Sequence, residues 1–207
     1  IVIGTLLGTT TDAKLVRTSG ATPGDALIVV GGLAIEGTTI LARDHAEQLR
    51  RAGVDPVDIQ AAARWLDSPG ISVAKACTVL GKASTVHAMH DPTEGGITAA
   101  LHELADAARV GIFVDRDAIS LLPECRRICT ALELDPYSLL ASGALLAAVP
   151  ITTAETHLNA LHTAGLSADL IGRVTTPAND RLWTVNGERA SIPLLARDEL
   201  ARFLDMG

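Results

Sequence analysis

Hydrophobic positions recur most regularly between Ile97 and Ala108. Ile97, Ala100, Leu101, Leu104, Ala105 and Ala108 follow helical spacing, with Thr98, Glu103 and Asp106 on the other side, so the pattern predicts an amphipathic helix. Weaker stripes predict helices over Glu36 to Ala52, stopped by Gly53, and from the capping pair Asp55-Pro56 to Ser68-Pro69-Gly70. Others run from Val73 to Gly81, from Pro123 with Cys125, Ile128, Cys129 and Leu132 on one face, over Ala154 to Ala164, and over Arg197 to Leu204. A shorter helix is expected to start near Pro136.

Apolar runs bounded by turn residues predict strands over Ile1 to Gly8, Ala26 to Val30, Thr85 to His90, Gly111 to Val114, Ala144 to Val149 and Leu170 to Val174. Leu182 to Val185 followed by Asn186-Gly187 is a type I′ hairpin signal. Helices and strands alternate and a hairpin comes late, which places the fold in the α/β to α+β class.

Composition narrows the function. The 207 residues suit one large domain or two small ones, and 48% hydrophobic with 20% charged residues is globular composition. Aromatic residues make up only 2%, so Leu, Ile, Val and Ala build the core, and stacking platforms for single-stranded nucleic acid are not expected. A net charge of −7 with only isolated basic pairs, Arg50-Arg51 and Arg126-Arg127, also argues against a nucleic-acid partner. The longest apolar run, Gly143 to Pro150, is too short to span a bilayer, and no signal peptide is visible at Ile1. Cys77, Cys125 and Cys129 are odd in number and lack metal-type spacing, which suggests a reducing, cytoplasmic compartment and no metal centre. The first residues, Ile1-Val2-Ile3-Gly4, read as a strand already under way, so the chain is expected to be the latter part of a longer protein.

One segment resembles a site. A strand delivers His90 and Asp91 to a turn in which Pro92 fixes φ, Thr93 or Glu94 can cap, and Gly95-Gly96 open the Ile97 helix. Free amides at that helix start favour an anion such as phosphate, although Glu94 competes with an anion and would equally serve Mg²⁺ or a substrate cation. A capped strand-to-helix turn is the purely structural account. His90 abuts Asp91, where a contact would tune a general base; a loop histidine bonded to backbone is the commoner arrangement. Ser142-Gly143, at a strand edge, is a second place where backbone can approach a ligand or simply turn. Gly31-Gly32 with Gly37 matches no phosphate-loop pattern and reads as close packing. Cys125 and Cys129 share an apolar stripe and read as core.

The ordered set Ser19-Gly20-Ala21, Pro23-Gly24-Asp25, Gly31, then Asp91 to Gly96, Leu132 to Pro136 and Ser142-Gly143-Ala144-Leu145-Leu146 resembles the carboxyl-terminal half of the aminoimidazole ribonucleotide (AIR) synthase superfamily. Within it the sequence is most similar to the hydrogenase maturation protein E type; thiamine-monophosphate kinase and selenophosphate synthetase are more distant. The resemblance implies a mixed sheet flanked by helices over residues 11–207, with residues 1–10 ending a missing amino-terminal ATP-binding domain. It also implies ATP and Mg²⁺ held mainly by that domain, a homodimer of the full-length protein, and a fragment inactive alone. His90, Asp91, Thr93, Glu94, Gly95, Gly96, Ser142 and Gly143 would face the inter-domain cleft.

The hydrogenase-maturation pattern has Arg where this chain has Glu94, His where it has Glu36, and a terminal reactive cysteine where it ends Leu204-Asp205-Met206-Gly207. The reading is therefore a domain of a phosphoryl-activating, ATP-dependent enzyme of unassigned substrate. A non-catalytic assembly domain that kept the fold, and a small-molecule kinase of the thiamine-monophosphate type, are the alternatives.

Overall fold

The computed structural model describes residues 4–5, 7–11 and 15–205. The strand expected over Ile1 to Gly8 falls partly outside them, and Gly4, Thr5, Leu7 and Gly8 lie in no strand. Seven strands form one mixed sheet: β1 (Asp25–Val30), β2 (Ala88–His90), β3 (Gly111–Asp115), β4 (Leu145–Pro150), β5 (Ala168–Thr175), β6 (Arg181–Val185) and β7 (Glu188–Ser191). Their order is β2-β4-β1-β5-β3-β6-β7, antiparallel throughout except for the β3–β6 pair.

β1 is central and buried along its whole length because both its faces are apolar. Leu27 and Val29 point into one layer, with Ile97, Leu101 and Leu104 of α5 (Gly96–Ala108), Leu41 of α1 (Ile35–Asp44), Ile59 of α3 (Pro56–Ala62) and Ile128 of α6 (Pro123–Ala131). Ala26, Ile28 and Val30 point into a smaller layer with Leu80 of α4 (Ala74–Ala83) and Leu161 of α7 (Ala154–Thr163). Burial on both sides of a strand is what a continuous Ala-Leu-Ile-Val-Val run requires. No helix among the described residues is long and apolar enough to cross a membrane.

Three expectations change. The helix read over Glu36 to Ala52 breaks at His45 (φ −123°) into α1 and α2 (Ala46–Arg51), and the His45 ring meets Phe203 of α8 (Glu199–Asp205) edge-on, centroids 4.9 Å apart. No helix forms near Pro136: the loop closes only a turn on Asp135, and the carbonyls of Tyr137 and Leu140 accept from Thr98 N and Gly37 N, so they serve the starts of α5 and α1. Thr98, expected on the outer side, is fully buried, because its hydroxyl also donates to Tyr137 O (3.1 Å). The hairpin forms as read: Val185 pairs with Glu188, and Asn186 and Gly187 both take positive φ.

Candidate functional site

β2 ends at His90, and the loop Asp91–Gly95 then turns into α5. The loop is anchored through its backbone. Gly96 N and Ala141 N both donate to Thr93 O (3.0 and 3.1 Å), and Pro92 is buried. Gly95 N donates to Asp198 Oδ2 at 2.6 Å, so a carboxylate from the segment before α8 caps α5. Thr98 N donates to Tyr137 O (3.1 Å).

This corrects the expected anion cradle. The amides of Gly95, Gly96 and Thr98 are bonded within the chain, and a phosphate on Gly95 would have to displace a carboxylate. The glycines are needed for the chain's own packing. Gly96 has φ +60°, and a Cβ there would sit 2.5 Å from Tyr137 O and 2.8 Å from Leu139 O.

Side chains are what the loop leaves available. Asp91, Thr93 and Glu94 are exposed, and among the described residues none of their side chains, nor that of half-buried Ser142, forms a hydrogen bond. Ser142 and Gly143 lie alongside because Ala141 is tied to Thr93. Gly31 (φ +89°) faces Gly143, whose oxygen would lie 2.6 Å from a Cβ at Gly31, and Gly143 in turn rests on Gly70 and Ile71. Segments 31–32, 70–71, 91–94 and 141–143 thus meet where β1 and β2 end and β4 begins. Gly37 packs on Leu139 and Leu140, as its packing role predicts.

His90 does not contact Asp91. Its Nε2 lies 2.6 Å from Glu103 Oε2 on α5, so it braces β2 against that helix. A carboxylate–imidazole pair at the sheet lies elsewhere. Asp25, 3% exposed, takes the Thr22 amide (2.8 Å) and lies 2.9 Å from His87 Nδ1, at the opposite end of β2. The signal for it was the Thr22-Pro23-Gly24-Asp25 turn, in which an Asp bonds back to the turn's own backbone; its histidine partner is sixty-odd residues away.

Neither buried thiol is placed to act as a nucleophile. Cys125 and Cys129 are in contact, Sγ to Sγ 4.0 Å, and out of reach of solvent; the hydrogen bond they share lowers the Cys125 thiol and, with burial, pushes the Cys129 thiol far up. Burial also pushes Cys77 up, with the Asp91 carboxylate adding to it. Among the described residues no group of three or more His, Cys, Asp or Glu side chains is placed to hold a metal ion.

Comparison with known proteins now adds the family. The profile described as "AIR synthase related protein, C-terminal domain" matches residues 22–184. Carbamoyl dehydratase HypE of Rhizobium leguminosarum bv. viciae is 32% identical over 84% of this chain and 47% of its own length. The crystal structure of Escherichia coli HypE superposes with a TM-score of 0.71 at 29% identity, covering 91% of this chain and 55% of that one. A hydrogenase maturation protein HypE solved in complex with ATP shares the fold, with a TM-score of 0.63 at 23% identity over 89% of this chain and 55% of that one. The chain spans about half the length of the curated relatives it matches. With its mixed sheet between two helical layers and the family profile matched over residues 22–184, the chain belongs to the AIR synthase-related family, of which it carries the C-terminal domain.

Proposed function

We propose that this domain forms one wall of the nucleotide cleft of an ATP-dependent, phosphoryl-activating enzyme, with Asp91, Thr93, Glu94, Ser142 and Gly143 facing that cleft. One observation carries the reading. A loop whose backbone is fixed at Thr93, Gly95 and Gly96 presents three polar side chains with no hydrogen bond among the described residues. Fixed backbone with free side chains is the arrangement a rigid scaffold uses to offer ligands to something outside itself.

The chemistry of that surface is acidic. Two carboxylates, Asp91 and Glu94, suit a Mg²⁺ ion that keeps several waters and bridges to phosphate oxygens, and they suit it only as a supplement, since they are too few to hold the ion alone. ATP itself is proposed from the likeness to the HypE solved in complex with it, and a second domain would supply most of its contacts. Asp91 and Glu94 would then help hold the metal and orient the phosphates, while Mg²⁺ would supply charge neutralisation. The Glu94 carboxylate where the hydrogenase-maturation pattern has an arginine favours a substrate different from that branch's.

The test uses the full-length parent protein. ATP with Mg²⁺ at about 100 times Kd should stabilise it by about 2.7 kcal/mol, seen as a rise in melting temperature. Asp91→Ala should cut that rise by half or more while leaving the ligand-free melting temperature unchanged. No rise in the parent protein overturns the proposal. A rise without any ATP turnover would instead favour the assembly-domain reading, which the capped α5 amides support.

A further inference from the structure

The outer side of the sheet is only partly covered. α4 and α7 lie over β2, β4, β1 and the start of β5, and their apolar layer ends at Ala168. Beyond it β5, β3, β6 and β7 show their outer face to solvent, with Leu170 45% and Ile151 59% exposed. A groove of about 340 Å³ runs there, walled by Phe113, Ala118, Ile151 and Leu170. Its floor is bare backbone at Gly172, where a Cβ would fall 2.2 Å from Phe113 O. A cavity of this size with an apolar lining and few polar groups is in the range of a small-molecule site.

Charged groups of both signs mark its rim. Arg173, directly opposite Phe113 across the β3–β5 pairing, lays its guanidinium 5.7 Å from the ring centroid, and Arg189 approaches the same ring at 5.2 Å. Neither arginine has an ion-pair partner among the described residues. Stacking on the ring leaves the N–H edge of a guanidinium free to bind a carboxylate. Asp115, two residues along the same face of β3, also lines the groove. Its Oδ1 accepts from Asp117 N and Thr184 Oγ1 (both 3.1 Å), and its Oδ2 accepts nothing among the described residues.

We infer that this groove binds a small apolar zwitterion, an α-amino acid with an aliphatic side chain, its carboxylate on Arg173, its ammonium on Asp115 and its side chain against Phe113, Ile151 and Leu170. Of these charged groups Arg173 and Asp115 line the groove itself, and they decide the class: a simple anion meets Asp115, a simple cation meets Arg173, and a ligand with both signs satisfies both. The groove lies beside the start of β1 and the end of β4, at the other end of the sheet from Asp91, so the inference is independent of the cleft proposed above.

Titration of the 207-residue chain with L-leucine, followed by amide shifts, tests it. Leucine should saturate, moving Phe113, Leu170 and Arg173. Isoamylamine, which lacks the carboxylate, and isocaproate, which lacks the amine, should each bind at least about tenfold more weakly, a loss of about 1.4 kcal/mol. Arg173→Gln and Asp115→Asn should each weaken leucine by a similar factor; the asparagine keeps an oxygen for Asp117 and Thr184. If either analogue equals leucine, if no groove residue shifts, or if both variants bind as the parent does, the inference is overturned. The analogue series needs no variant, so it decides the matter even if a substitution unfolds the chain.

Discussion

Gly96 shows how a correct reading of one residue can carry a wrong reason. Its freedom from a side chain is visible in the sequence, where a Gly-Gly pair opens a helix and invites a ligand. The atom that needs the space is Tyr137 O, about forty residues on, and no local pattern announces it. Gly96→Ala therefore combines a disfavoured positive φ with a clash against fixed backbone, and should cost roughly 2–4 kcal/mol in urea unfolding. Gly81, inside α4, has ordinary helical φ and nothing within 4 Å of an added Cβ. Gly81→Ala should stabilise by roughly 0.5–1 kcal/mol, because it removes only backbone entropy from the unfolded chain. Equal effects at the two glycines would contradict the assignment of Gly96 to packing. The same distance explains the histidines. The partners of His87 and His90, Asp25 and Glu103, come from other elements and could not be read locally.

Elements were legible where one local signal decided them. The α5 stripe and the Asn186-Gly187 hairpin were set locally, and both formed as read except at Thr98, which the Tyr137 carbonyl draws inward. The break at His45 depends on Phe203, and the missing helix near Pro136 depends on α1 and α5 claiming its carbonyls, so both lay beyond any window of neighbouring residues. The start of α5 belongs to the same class. Its cap, Asp198, sits 103 residues after Gly95 and also accepts from Leu200 N (2.7 Å) at the start of α8, so one carboxylate closes two helices. Asp198→Ala should cost about 1–3 kcal/mol, up to twice an ordinary cap, and speed hydrogen exchange at Gly95 and Leu200 together. Asp198→Asn keeps an oxygen acceptor and should lose less than half as much. Exchange that speeds at only one of the two amides would mean the caps are not shared.

At the scale of the whole molecule, strand order was the part the sequence concealed. Pairing β1 with β4 and β5, and β3 in parallel with β6, joins segments whose separation no periodicity records. Ion pairs then tie neighbouring elements within the larger layer, and their titration should show in acid. The Arg127 guanidinium, at 2.5 and 2.7 Å, holds the Asp58 carboxyl below its ordinary value and links α3 to α6. Burial pushes Glu199 up, but the Arg202 guanidinium and the Asp135 amide together bring it below its ordinary value, linking α8 to the 133–139 loop. A carboxylate whose folded pKa is depressed contributes stability that is complete above its unfolded value of about 4 and disappears as pH falls through the lower folded value. Between neutral pH and the isoelectric point near 5.3 the net charge of −7 shrinks instead, relaxing long-range repulsion. The urea midpoint should therefore stay level or rise slightly from pH 7 to about 5 and drop steeply below about 4. Asp58→Asn should lower the midpoint at pH 7 and flatten the acid limb, so that variant and parent converge in acid once the parent's carboxyl is also protonated. Parallel curves, offset equally at every pH, would show that the Asp58–Arg127 pair contributes shape without charge.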